Sequence, residues 1–153
     1  MASIVNSLRA ISDPTRLRLL LLLLEEELTV AELQEILGMG QPRISASLAL
    51  LKREAIAKNR RVGKNIFYAV RPEIVFSLRT ILEAARRELP EAASDSAAMA
   101  LALRKRKDKA AEYFNKLAGK FGRTYIPGRS WQALAHALLR LVPSSRRLVS
   151  GLK

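Results

Sequence analysis

The sequence predicts a mainly α fold with a small β component (an α+β arrangement), and three observations carry that prediction. Apolar residues recur at helical spacing through residues 4–11, 14–24, 30–37, 44–55 and 74–85. The helical pattern is broken tightly at Gly38-Met39-Gly40 and resumes at Gln41-Pro42. After Ile56 the period changes from helical to extended, with two short runs around Val62-Gly63-Lys64-Asn65.

In chain order, Ile4, Val5, Leu8 and Ile11 mark a first helix. Ser12-Asp13-Pro14 reads as the next helix start, a capping side chain followed by proline at the first helical position. The helix that follows, to about residue 24, is apolar on nearly all sides, which requires cover on more than one face. In a short chain a subunit interface is a natural source of the second cover. Thr29 and Glu32 have the spacing of a capping box, with Val30, Leu33, Ile36 and Leu37 as the buried stripe behind it. The helix of residues 41–55 buries Ile44, Leu48, Leu51 and Ala55, while Arg43, Ser45, Ala46, Ser47, Lys52 and Arg53 fill much of the rest. Two strands are expected over 58–62 and 65–71, with Gly63 supplying the positive φ of the turn. Pro72 opens a helix to about residue 89, which Pro90 ends. Residues 90–99 have small, polar linker chemistry. A basic helix over 100–118, a loop over 119–130 and an amphipathic helix over 131–141 complete the chain. The expected division is 1–90 as one domain and 91–153 as a basic helical extension.

Composition narrows the function. The chain of 153 residues holds 27 Lys and Arg against 14 Asp and Glu, a net charge of +13, with 49% hydrophobic residues, one His and no Cys. That apolar content builds a core and argues against a disordered tail. The lack of cysteine excludes disulfides, thiolate metal sites and cysteine nucleophiles, and a single histidine excludes most histidine-based acid–base sites. The leucine run 19–24 ends at Glu25-Glu26-Glu27, far short of the roughly 20 residues that cross a bilayer. The acidic run itself reads as a solvated helix end. No secretion signal is visible, so a soluble, cytoplasmic protein without a membrane partner is expected. The charge points to a polyanion, nucleic acid ahead of an anionic membrane. It is uneven: residues 1–90 carry +4 and residues 91–153 carry +9.

Helix, glycine turn, helix and hairpin, in that order, make a helix-turn-helix followed by a wing. Small residues let the second helix sit deep in the major groove, where base edges display distinct donor and acceptor patterns. Over residues 43–71 there are eight basic residues and one acid, Glu54, which is a phosphate-binding density. The expected DNA-binding residues are Gln41, Arg43, Ser45, Ala46, Ser47 and Lys52 on the helix and Arg60, Arg61 and Lys64 on the hairpin. No general base accompanies either serine, so no catalytic residue is assigned and no enzyme is expected.

The segment Leu8-Arg9-Ala10-Ile11-Ser12-Asp13-Pro14-Thr15-Arg16-Leu17, with Gln41-Pro42-Arg43-Ile44-Ser45, Leu50-Leu51-Lys52 and Arg61-Val62-Gly63-Lys64 before Phe67-Tyr68, resembles ArsR/SmtB-type winged-helix repressors over about residues 3–88. The resemblance implies a homodimer on an imperfect palindromic operator in double-stranded DNA, released by a signal. Its interface would use the first helix and the helix of residues 72–89, through Ile4, Leu8, Leu78, Ile81 and Leu82. Metal-sensing members carry two cysteines in a Glu-Leu-Cys-x-Cys-acid-Leu pattern. Here the matching stretch is Glu27-Leu28-Thr29-Val30-Ala31-Glu32-Leu33, and residues 72–89 lack the Asp and His of the family's other site. The departure implies no metal site, and no cofactor is expected.

Tyr113-Phe114, then Tyr125-Ile126-Pro127-Gly128-Arg129-Ser130-Trp131, then Leu134-Ala135-His136-Ala137-Leu138-Leu139, resemble the lead-in of an S-adenosylmethionine-dependent methyltransferase. The resemblance implies that 91–153 is the truncated front of such a domain, because the cofactor-binding strand and glycine loop would follow residue 153. The alternative function is accordingly a regulatory front end or fragment of that enzyme.

Overall fold

The computed structural model describes residues 3–121. Their elements are α1 (Ile4–Ile11), α2 (Pro14–Glu25), β1 (Leu28–Thr29), α3 (Val30–Leu37), α4 (Gln41–Arg53), β2 (Ala57–Val62), β3 (Asn65–Val70), α5 (Pro72–Glu88) and α6 (Ala92–Phe121). This is a helix-rich winged helix with a three-stranded antiparallel sheet in the order β1-β3-β2. The chain divides into two compact units, Met1–Glu112 and Tyr113–Lys153. Of the second unit the described part is the end of α6, where Tyr113 and Phe114 are exposed. The expected helix over 131–141, His136 and Trp131 lie outside the described residues.

Local chemistry sets the boundaries. Asp13 accepts the Arg16 amide at 3.0 Å, with Pro14 in the first turn of α2. The capping box at α3 forms reciprocally: Thr29 Oγ1 accepts the Glu32 amide at 3.3 Å, and the Glu32 carboxylate accepts the Thr29 amide at 2.8 Å. Gly38 ends α3 with φ +63°, where any side chain would be strained. α4 ends in a Schellman motif, with the Ile56 amide on the Leu51 carbonyl (2.9 Å) and the Ala55 amide on that of Lys52 (3.1 Å). Here alanine rather than glycine occupies the left-handed position, at φ +56°.

Nine apolar side chains, Leu19, Leu20, Leu28, Leu33, Ile44, Leu48, Leu51, Ile56 and Leu82, are less than 2% exposed and form the centre of the core. Each contributes about 1.5–3 kcal/mol relative to exposure.

Four expectations are corrected. The cover for α2 comes from its own chain: α1, α4, α5 and β3 pack around it, and Leu19–Leu23 are all buried within the protomer. The presumed linker 90–99 is mostly helix, because α6 starts at Ala92. Alanines 92, 93, 97 and 98 favour helix, and Asp95 is anchored to Arg18. The same helix runs through Gly119, where a loop was expected. The sheet also has a third strand, β1, in register as Leu28↔Tyr68 and Thr29↔Phe67. Two residues are too few to show a period, so β1 leaves no pattern in the sequence.

Candidate nucleic-acid interface

α4 buries one side and exposes the other. Ile44, Ser47, Leu48 and Leu51 face the core; Gln41, Pro42, Arg43, Ala46, Ala49, Lys52 and Arg53 are exposed, and Ser45 is half-buried. The outward surface is therefore slim and polar, flanked by cations. Ser47 is placed otherwise than expected: at 9% exposure it belongs to the apolar stripe at i, i+3, i+4 and i+7 from Ile44 and turns from the open face. The same periodicity identifies Ala49, absent from the expected set, as a member of the open face. Arg43 is exposed, yet its Nη2 donates to Oγ1 of the buried Thr15 at 2.6 Å. That bond fixes the side chain against α2 and leaves its other donors available.

The hairpin pairs Arg60 with Phe67 and closes at Gly63, φ +59°. Arg61 and Lys64 stand exposed at its tip, where the Arg61 Nε–H donates to the Gly63 carbonyl at 3.1 Å. Arg60 is placed differently. Its Nε donates to Glu27 Oε2 at 2.6 Å, and its guanidinium carbon lies 5.4 Å from the Phe67 ring centroid. The hydrogen bond that Arg60 donates to Glu27 outweighs desolvation and holds the guanidinium more firmly protonated than usual.

Glu27, Glu32, Phe67 and Arg106 form a cluster beside the wing that the sequence reading did not single out. Burial pushes the Glu32 carboxyl up, but hydrogen bonds from Arg106 and Thr29 outweigh it and hold it below the ordinary carboxylate range. Two of the three acids at the end of α2 are ion-paired, the exposed Glu25 with Arg86 at 2.7 Å and the half-buried Glu27 with Arg60. The spacing of Thr29 and Glu32 revealed their mutual cap; nothing local could reveal a partner 74 residues away.

The residues expected at a dimer interface divide in two. Ile4, Leu8 and Ile81 are exposed, as are Val5 and Phe76, the latter 90% accessible. Leu78 and Leu82 are corrected: they are 4% and 1% exposed and belong to the protomer's core beneath that surface. Thr29 is spent on the cap of α3, and Ala31 is exposed. Among the described residues no group of three His, Cys, Asp or Glu side chains gathers as a metal site, and no helix is long and apolar enough to cross a membrane.

Comparison with known proteins decides the family. Residues 13–58 match the family described as bacterial regulatory protein, arsR family. The chain is 39% identical over 82 residues to the biofilm growth-associated repressor of Xylella fastidiosa, covering 51% of this chain and 72% of that protein. The chain belongs to the arsR family of bacterial regulatory proteins. As a member of the arsR family it is a transcriptional regulator of the winged helix-turn-helix type. It is also 40% identical over 67 residues to an arsenic resistance transcriptional regulator of Pseudomonas putida, over 43% of this chain and 52% of that one. The solution structure of a homodimeric winged helix-turn-helix DNA-binding domain from Mycobacterium bovis, a possible ArsR-family regulator, matches with 27% identity and a TM-score of 0.50. It covers 57% of this chain and 82% of that one.

Proposed function

We propose that this chain is a homodimeric, sequence-specific repressor acting in the cytoplasm on double-stranded DNA. The observation that carries the reading is the open face of α4, where Gln41, Arg43, Ser45, Ala46 and Ala49 present small and donor-bearing groups with Lys52 at the flank. A helix of this width enters the major groove and reads base edges, while phosphate contacts hold its register. Arg61 and Lys64 at the wing tip supply such contacts. Arg60 is bound to Glu27 and supports the hairpin instead.

Residues 1–90 carry both the reading and the pairing surfaces. The exposed apolar groups of α1 and α5, Ile4, Val5, Leu8, Phe76 and Ile81, suit a twofold contact between copies. Two copies so related present their α4 helices to half-sites of an imperfect palindrome, about 34–36 Å apart. The relative in Xylella fastidiosa, named a repressor, supports repression as the outcome.

Selection of bound duplexes from a random pool, followed by footprinting and a light-scattering mass, tests the reading. A discrete palindrome protected by a dimer is the expected result. Sequence-blind coating of DNA, or a monomer at micromolar concentration, would refute it.

A further inference from the structure

α6 reaches the wing through one side chain. Arg106 lies on the helix face that also carries the buried Asp95, Met99 and Ala102. Its Nε–H donates to Glu32 Oε1 at 2.7 Å, and its Nη2 donates to Glu32 Oε2 at 2.7 Å and to the Glu27 carbonyl at 2.9 Å. Its guanidinium carbon is 5.3 Å from the centroid of the Phe67 ring that Arg60 also approaches. Phe67 is the β3 residue paired with Thr29 of β1 and with Arg60 of β2. Glu32 Oε2 also accepts from the Thr29 amide and hydroxyl. One guanidinium therefore touches the first turn of α3, the chain leading into β1 and the central strand of the sheet.

We propose that Arg106 is a positioning residue for the wing, so that α6 sets the pose of the hairpin that grips DNA. The inference rests on the DNA-binding reading above. Arg106 is only 22% exposed and its fork is bonded to protein, so it acts through Phe67 and Glu32 and not on phosphate. α6 cannot drift from this alignment. Arg18 holds Asp95 by two bonds of 2.7 Å, and Lys105 pairs with Glu35 on α3. The arrangement also explains why the inward cation of this basic helix is an arginine: a planar fork spans two carboxylate oxygens and a ring face at once, which an ammonium cannot.

The test uses the full chain and a duplex chosen by selection, well below the melting temperature. The variants are Arg106→Ala, Arg106→Lys and Phe67→Leu, with Arg104→Ala as an exposed control on the same helix. Arg106→Ala is expected to weaken specific binding about 10-fold, as a site left loose by its supporting shell does. It should leave the log–log salt slope unchanged. Arg106→Lys should recover part of the loss, Phe67→Leu should weaken binding in the same sense, and Arg104→Ala should retain wild-type affinity. In the free protein, amide exchange in β1 and β3 should accelerate in Arg106→Ala. Three results would overturn the proposal: affinity equal to wild type, a lowered melting temperature with affinity unchanged, or a salt slope reduced by the ~0.9 of one direct phosphate contact. Should the wild-type chain bind no duplex at all, the proposed function falls, while the exchange measurement still decides whether Arg106 fixes the hairpin.

Discussion

At the wing tip, the Arg61 side chain turns only to the Gly63 carbonyl of its own loop, and Lys64 makes no side-chain bond among the described residues. On α6, by contrast, Lys105 and Arg106 are held by Glu35 and Glu32. The two stretches look alike as basic runs in the sequence, yet one offers its cations to solvent and the other commits two of its cations to the fold. Charge density is therefore a guide to a polyanion's footprint only after internal pairing is subtracted. Arg60 shows the distinction within one hairpin, because it sits on the wing but is used as the α6 residues are.

The largest expected effect breaks the committed side of this contrast. Arg18 and Asp95 are 13% and 6% exposed, so Arg18→Ala leaves a carboxylate buried without its partner and should cost about 3–5 kcal/mol in urea unfolding. A loss below about 1 kcal/mol, typical of exposed ion pairs, would mean that α6 is not anchored there. The same region carries a pH signature. Because the folded Glu32 carboxyl sits below its ordinary value, its contribution is complete above the unfolded pKa of about 4.3 and is lost as pH falls through the lower folded value. The melting temperatures of wild type and Glu32→Gln should therefore converge on acidification; a constant gap would refute the linkage.

Arg43 stands between the two modes, exposed but with one nitrogen on Thr15. Arg43→Ala should remove about 1–3 kcal/mol of discrimination at one base pair, seen as a relaxed position when the DNA selection is repeated. An unchanged consensus would place it with Arg60 as a support. Next, Lys64→Ala or Arg61→Ala should each lower the salt slope by about 0.9 per phosphate contact, whereas Arg60→Ala should leave it intact. Equal slopes for Arg60→Ala and Lys64→Ala would erase the difference between base and tip of the hairpin. The smallest effect concerns the joint between reading helix and wing. Ala55→Gly relieves the left-handed alanine and should raise stability by about 1 kcal/mol in the same urea assay; a loss there would show that the backbone is not strained.

Much of this was legible from local pattern. The starts of α2, α3 and α4 follow from Asp13-Pro14, Thr29 with Glu32, and Gln41-Pro42, because caps and prolines act within a turn. The hairpin followed from Gly63 and the change of period. What stayed hidden depends on distant parts of the chain. β1 exists only because β3 lies beside it, and residues 92–99 look like linker until Asp95 meets Arg18 across 77 positions. Within α4 the inward turn of Ser47 was legible too. Residue type suggested a polar contact, but its place between Ile44 and Leu51 already put it inside.

Only Glu54, Ala55 and Ile56 separate the last residue of α4 from the first of β2, and four backbone hydrogen bonds lock them. The joint is thereby a ruler: it fixes how far the wing tip stands from α4, and so, on the proposed reading, from the bases α4 would read. Adding one extended residue there would advance the hairpin by about 3.3 Å, nearly the 3.4 Å rise of a base pair. On the proposed reading, operator spacing would thus depend on the length of a three-residue corner as much as on the side chains of α4 and the wing tip.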